Sequence, residues 1–231
     1  MKPRTPPLPS SRLIGGIATA TAFAVAASML GACANPQRSR NVANPAVPAT
    51  VLAQQVCANC HGLSGRSTSP RFPNLAGQPA GYLEMQLTAM RDRRRRDDDA
   101  AAYMWGLARD LSNEQIHGLA IYFSDQRVDA PISAGPAREV AAGQALYEQG
   151  RPAMGVPACA ACHGARGQGL GVIPRLAGQH PGYLARQLEL FGTAPALRPD
   201  GAPMTPIAQA LSADDRRDVA IYLATLQEQA R

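Results

Sequence analysis

The sequence repeats itself, and the repeat constrains the fold more than any other feature. Cys57-Ala-Asn-Cys60-His61-Gly62 recurs as Cys159-Ala-Ala-Cys162-His163-Gly164. Pro73-Asn-Leu-Ala-Gly-Gln78 recurs as Pro174-Arg-Leu-Ala-Gly-Gln179, and Gly-Tyr-Leu and Gln-Leu follow at matching offsets in both halves. Met104 stands seven residues before Leu111-Ser112, as Met204 does before Leu211-Ser212. Ala120-Ile121-Tyr122 matches Ala220-Ile221-Tyr222, and the Cys-to-Met intervals are 47 and 45 residues. Matching blocks in one order define a tandem duplication, with domain 1 over 49–128, a Pro/Gly linker over 129–136 and domain 2 over 137–231. Two cores of about 80 residues each are thin by surface-to-volume scaling. A covalently held group would supply what they lack.

Each half reads as all-α. Ser112-x-x-Gln115 is a capping box, followed by Ile116, Leu119, Ala120 and Phe123 at helical spacing. Ser212 opens the equivalent helix, with Val219, Tyr222, Leu223 and Leu226 on one face. Leu83, Leu87 and Met90 make a second stripe, repeated by Leu184, Leu188 and Phe191. Short helices over 51–56 and 140–147 are expected to lead into the cysteine motifs, and no stretch alternates as a strand. The intervening Gly/Pro loops are long for a small bundle, which suits a chain wrapped around something large.

Cys-x-x-Cys-His is the attachment signal for haem c. Cysteines three apart lie close together on one helical turn, where both sulfurs reach the porphyrin vinyl groups. The next residue, His61 or His163, turns its imidazole under the iron. A thioredoxin-type redox pair belongs beside a βαβ pattern, which is missing here. A zinc site would have to draw on pairs 102 residues apart, each within its own complete repeat. Disulfides leave both histidines unexplained. The expected cofactors are therefore two covalent haem c groups, on Cys57/Cys60 and Cys159/Cys162.

Met104 and Met204 occupy equivalent late positions and are the expected sixth ligands; a thioether suits the iron and raises its potential. Met85, Met90 and Met154 have no counterparts and read as gap-fillers. His117 and His180 are likewise unmatched and read as surface or packing residues. A ligating histidine usually donates its other N–H to a fixed acceptor. Pro73 follows His61 by 12 residues and Pro174 follows His163 by 11, and each offers a carbonyl aimed by a fixed φ.

Residues 1–32 read as an export signal: a basic start, an apolar run from Leu13 to Leu30, then small residues. Leu30-Gly31-Ala32-Cys33 resembles a lipobox, which makes Cys33 a candidate lipidation site and 33–48 a tether. Cleavage after Ala34 and an uncleaved anchor are the alternatives. All three place the rest of the chain outside the cytoplasm, in the periplasm and, with a lipidated Cys33, tethered to a membrane. The formal charge of +6 falls to +3 without this segment, too weak a field to suggest nucleic acid.

The paired CxxCH sites, the P-x-L-A-G-Q segments with following G-Y-L, the Met before L-S and the closing A-I-Y resemble the cytochrome c4 family over residues 49–228. That resemblance implies two class I cytochrome c domains related by pseudo-twofold symmetry. It also implies propionates close together at the interface and Pro73 and Pro174 carbonyls accepting from the proximal histidines. As a function, it implies an electron carrier that takes electrons from a quinol-oxidising complex or a dehydrogenase and passes them toward a terminal oxidase. Some relatives are dehydrogenase subunits instead, and a haem enzyme such as a dihaem peroxidase is the rival class. An enzyme of that class needs an open iron position, whereas both halves carry their Met.

The halves differ before the Met. Residues 91–99 hold five arginines and four aspartates, while the second half keeps only Arg198 and Asp200. The run reads either as a self-neutralising solvated loop or as charge set against propionates or an acidic partner. Arginines facing the first haem, with the aspartates facing water, would raise its potential.

Overall fold

The computed structural model describes residues 36–127 and 135–226. The signal over 1–32, Cys33 and most of the linker lie outside the described residues. Within them the chain is helical, apart from two isolated β-bridges, Arg151 to Val156 and Leu170 to Ile173. No helix among the described residues is long and apolar enough to cross a membrane.

In domain 1, α1 (Ala49–Leu52) runs through a π-helical turn (Ala53–Cys57) into α2 (Ala58–His61). Gly62, at φ 77°, stops α2, in a conformation that glycine reaches at no steric cost. Then come α3 (Ala80–Arg91), a second π turn (Ala100–Met104), α4 (Trp105–Ala108) and α5 (Asn113–Ser124). The expected capping box holds: Gln115 N–H donates to Ser112 Oγ at 3.2 Å, and Ser112 N–H donates to Gln115 Oε1 at 3.1 Å. Leu52, Leu83, Met90, Ile116, Leu119 and Phe123 form the core.

Domain 2 contains α6 (Ala137–Gln149), α7 (Ala160–His163), α8 (Pro181–Thr193), α9 (Thr205–Ala210) and α10 (Ala213–Thr225). Its core is a separate cluster built on Leu146, Tyr147, Val156, Leu184, Val219 and Leu223. The helix expected over 140–147 is longer and does not lead into the cysteines. Gly150, at φ 67°, breaks it, and a 3₁₀ turn (Pro152–Met154) intervenes. In each domain the first and last helices cross closely. A Cβ on Gly118 of α5 would stand 2.6 Å from Ala49 Cβ, and one on Gly143 of α6 would stand 2.1 Å from Asp218 O.

Residues 41–48, expected as tether, pack instead. Val47 is buried in the first core, and Gln115 Nε2 donates to Asn44 O and Val47 O at 3.0 and 3.2 Å. An apolar side chain beside a preformed helix loses less by docking than by staying in water.

Candidate cofactor site at the domain interface

The short helix α2 ends on His61 and α7 ends on His163, so each CxxCH motif forms one turn terminated by glycine. Both rings are buried. His61 Nδ1 lies 2.9 Å from Pro73 O, and His163 Nδ1 lies 3.0 Å from Pro174 O. Because a carbonyl can only accept, each Nδ1 carries the proton and each Nε2 keeps its lone pair. Burial lowers both histidine pKa values against the opposing proline hydrogen bonds, so the rings are neutral donors at pH 7.

None of the four motif cysteines is paired in a disulfide. Burial pushes the Cys57 thiol up to about 11 and raises that of Cys159 as well, so neither free side chain is an activated thiolate of the redox-enzyme kind. Among the described residues, no three His, Cys, Asp or Glu side chains gather as metal ligands would.

One continuous cavity of about 500 Å³ joins the two domains. Cys57, Cys60, His61 and Met104 line it on one side, and Cys159, Cys162, His163 and Met204 on the other. Aliphatic and aromatic side chains supply most of the rest, among them Leu83, Phe123, Leu184 and Leu223. Two thiols, one imidazole lone pair and one thioether within apolar walls match what a covalently bound haem needs on its two faces. Met104 arrives on a π turn and Met204 on a 3₁₀ turn (Pro199–Met204). His117 is exposed and pairs with Glu84, while His180 is buried at the interface with Nε2 3.1 Å from Ser67 O. Neither lines the cavity.

The arginine run is not a uniformly solvated loop. Arg95 is buried, donating to Asp97 Oδ2 at 2.9 Å and to Gln86 Oε1 at 2.7 Å. Burial opposes its charge, but Tyr183, Asp97 and Tyr82 more than compensate and raise its pKa. Arg94 crosses to Asp200 at 2.6 Å, and Arg93 lies 3.7 Å over the Trp105 ring. Asp97 and Asp99 line the cavity together with Arg95. The arginines therefore do not face the cavity alone, and the condition for a raised first potential is not met. From domain 2, Arg198 reaches Tyr82 Oη at 2.9 Å and Gln86 Oε1 at 3.1 Å. The two domains thus exchange arginines across one charged rim.

The P-x-L-A-G-Q segments hydrogen-bond to each other across the interface, a role that sequence reading missed. Gln78 Nε2 donates to Arg175 O at 2.7 Å, and Arg175 N–H returns a bond to Gln78 Oε1 at 3.0 Å. Gln179 Nε2 donates to Asn74 O at 2.9 Å, and Asn74 N–H returns a bond to Gln179 Oε1 at 2.8 Å. Position 78 matches 179 and position 74 matches 175, so the contact is isologous, the signature of a twofold axis. Identical buried-capable glutamines in both repeats were the available signal.

Two helical domains, each turning two cysteines, a histidine and a methionine toward a shared apolar cavity, define a dihaem c-type cytochrome. The cytochrome c family model matches the chain twice, over residues 47–126 and 140–227. Cytochrome c-552 of Acidithiobacillus ferridurans is 38% identical over 82% of this chain and 82% of its own. The solved structure of Acidithiobacillus ferrooxidans cytochrome c4 superposes with a TM-score of 0.68 at 38% identity, covering 74% of this chain and 98% of that one. A thiosulfate dehydrogenase electron acceptor of Stutzerimonas stutzeri is 34% identical over 75% of this chain and 80% of its own. The chain belongs to the cytochrome c4 family. It is an electron-transfer protein carrying two covalently bound haem c groups.

Proposed function

We propose that Cys57 and Cys60 hold one haem with His61 and Met104 on its iron, and that Cys159, Cys162, His163 and Met204 do the same for the other. Each thiol would add across a haem vinyl group, the S–H breaking as S–C forms on one vinyl carbon and the hydrogen going to the other. When bound, haem c supplies a one-electron ferric/ferrous couple. The protein's own residues fix that couple in place. Pro73 and Pro174 carbonyls hold the imidazoles in one tautomer, and a histidine with a methionine at each iron would leave no position for an exchangeable ligand. The observation that carries this reading is the complete set of ligand types found twice around one cavity.

The carrier works in the periplasm, with Cys33 as a lipid tether. It accepts electrons from a quinol-oxidising complex or a dehydrogenase and delivers them toward a terminal oxidase. The similarity to a thiosulfate dehydrogenase electron acceptor supports a second reading, a dedicated acceptor for one dehydrogenase. No nucleic acid is involved.

Intact mass after acid-acetone extraction tests attachment: two haem masses remain on the wild type, one on Cys57→Ala/Cys60→Ala and one on Cys159→Ala/Cys162→Ala. Carbon monoxide then tests coordination. The reduced wild type should bind it at neither iron, and fast stoichiometric binding would point to an enzyme or sensor.

A further inference from the structure

The Pro73–Asn74 peptide is one planar, rigid unit with hydrogen bonds on both edges. Its carbonyl accepts from His61 Nδ1 at 2.9 Å. Its N–H donates to Gln179 Oε1, in the other domain, at 2.8 Å. The Pro174–Arg175 peptide repeats this. Its carbonyl accepts from His163 at 3.0 Å, and its N–H donates to Gln78 Oε1 at 3.0 Å. Each glutamine is locked by a second bond, from Nε2 to Asn74 O or Arg175 O. Both side chains are buried, at 4% and 5% exposure, so no water competes with the chain.

We infer that Gln179 and Gln78 are crossed positioning residues, each setting the proximal-histidine hydrogen bond of the opposite domain's haem. This inference rests on His61 and His163 being the axial ligands. The physics is direct. Oε1 accepting from the peptide N–H draws electron density toward the carbonyl oxygen at the other edge, which strengthens it as an acceptor. A stronger acceptor at Nδ1 makes the imidazole a more basic ligand. More donation from Nε2 favours ferric over ferrous iron. The rigid plane also means that a shift of one glutamine tilts the carbonyl under the opposite histidine. Either domain therefore reports its position to the other's iron through three consecutive hydrogen-bonded groups.

The test uses the full-length dihaem protein with Gln179→Met and Gln78→Met, which keep volume and remove both bonds. Met104→Ala first assigns the two axial-methionine NMR signals to domains, by removing that of domain 1. If both signals survive, the Met104 assignment is overturned, and the two haems are told apart instead by Cys57→Ala/Cys60→Ala, which removes the domain 1 haem and its signals. With signals assigned, Gln179→Met should move the domain 1 haem signals and leave those of domain 2 in place. At fixed applied potential, the reduced-to-oxidised ratio of the domain 1 haem should rise about threefold, equivalent to about 28 mV. Gln78→Met should do the same at domain 2 alone. Should either variant fail to fold, Gln179→Glu keeps the acceptor, loses the donor and strengthens acceptance. It should shift the opposite haem in the reverse sense and by more than its own. Shifts confined to the mutated domain, equal at both haems or absent from both would overturn the crossed role while leaving the ligands intact.

Discussion

The two domains bring one proposed ligand set to one cavity by different backbone routes. In domain 1 a single helical path runs from Ala49 to His61, and its π turn ends on Cys57. In domain 2 the leading helix stops at Gly150, and a loop with a 3₁₀ turn carries the chain to Cys159. Met104 ends a π turn and Met204 a 3₁₀ turn with Pro203 inside it. A π turn inserts one residue into the helix and so rotates everything downstream by about 100°. A 3₁₀ turn reaches the same spot by tightening. What is held constant is where the sulfur and imidazole must stand, not the helix type that delivers them. The surroundings diverge too. Met104 is flanked in sequence by Tyr103 and Trp105 where Met204 has Pro203 and Thr205, and Phe72, edge-on to Tyr103, stands where domain 2 has Ile173.

The sharpest way to break this equivalence is to remove one methionine at a time. Met104→Ala and Met204→Ala should each admit carbon monoxide at one iron per protein. Each should lower that haem's potential by on the order of 200 mV, within the roughly 0.8 V that axial ligation spans. Carbon monoxide at both irons, or at neither, in either variant would refute the assignment of that methionine.

The next contrast lies in the rim. Arg95 and Asp97 are both 7% exposed, so Asp97→Asn leaves an uncompensated buried cation and should cost about 3–5 kcal/mol in urea unfolding. Asp200 faces a half-exposed Arg94, so Asp200→Asn should cost about 1 kcal/mol or less. Equal losses would mean that the buried pair carries no special weight.

A smaller difference separates the caps of the last helices. The α5 box closes with neutral Gln115, whereas the α10 box closes with Asp215, which also pairs with Arg151. Burial pushes the Asp215 carboxyl up, but hydrogen bonds from Ser212 and Arg151 outweigh it and hold the pKa below its ordinary 3.8. A lowered folded-state value contributes stability that is complete above the unfolded pKa and lost as pH falls through the folded one. Below about pH 4, first-turn amides of α10 should lose protection worth about 1 kcal/mol or less, more than those of α5, whose box closes on neutral Gln115 and where only the exposed Glu114 is held below its ordinary value. Hydrogen exchange reads this, and Asp215→Asn should flatten the dependence.

The smallest effect concerns the remaining arginines. Arg94 is tied to Asp200 and half exposed, Arg93 covers Trp105, and neither they nor Arg96 line the cavity. Converting Arg93, Arg94 and Arg96 to Gln together should move both potentials by about 20 mV or less, given solvent screening. A shift above about 60 mV at one haem would restore a direct electrostatic role to the run.

Duplication, helix content and capping residues were legible in the sequence because each is local or repeats at a fixed offset. So were the residues now proposed as ligands. A cysteine pair with its histidine occupies one helical turn, and matched methionines announce themselves by recurrence. The route into each motif was not legible, because π and 3₁₀ turns differ from α by one residue in the span of each hydrogen bond and leave no hydrophobic period of their own. Val47 looked like tether because its partners, among them Gln115 and the domain 1 core, come from far along the chain. The sequence alone determined which atoms are available to hold the cofactors, since thiol, imidazole and thioether chemistry belongs to the residue. Only the tertiary structure decided that Gln78 and Gln179 hold each other's domain and that Arg95 sits buried beside Asp97. A glutamine amide or a guanidinium has no fixed role until burial strips its water and leaves one set of partners within reach.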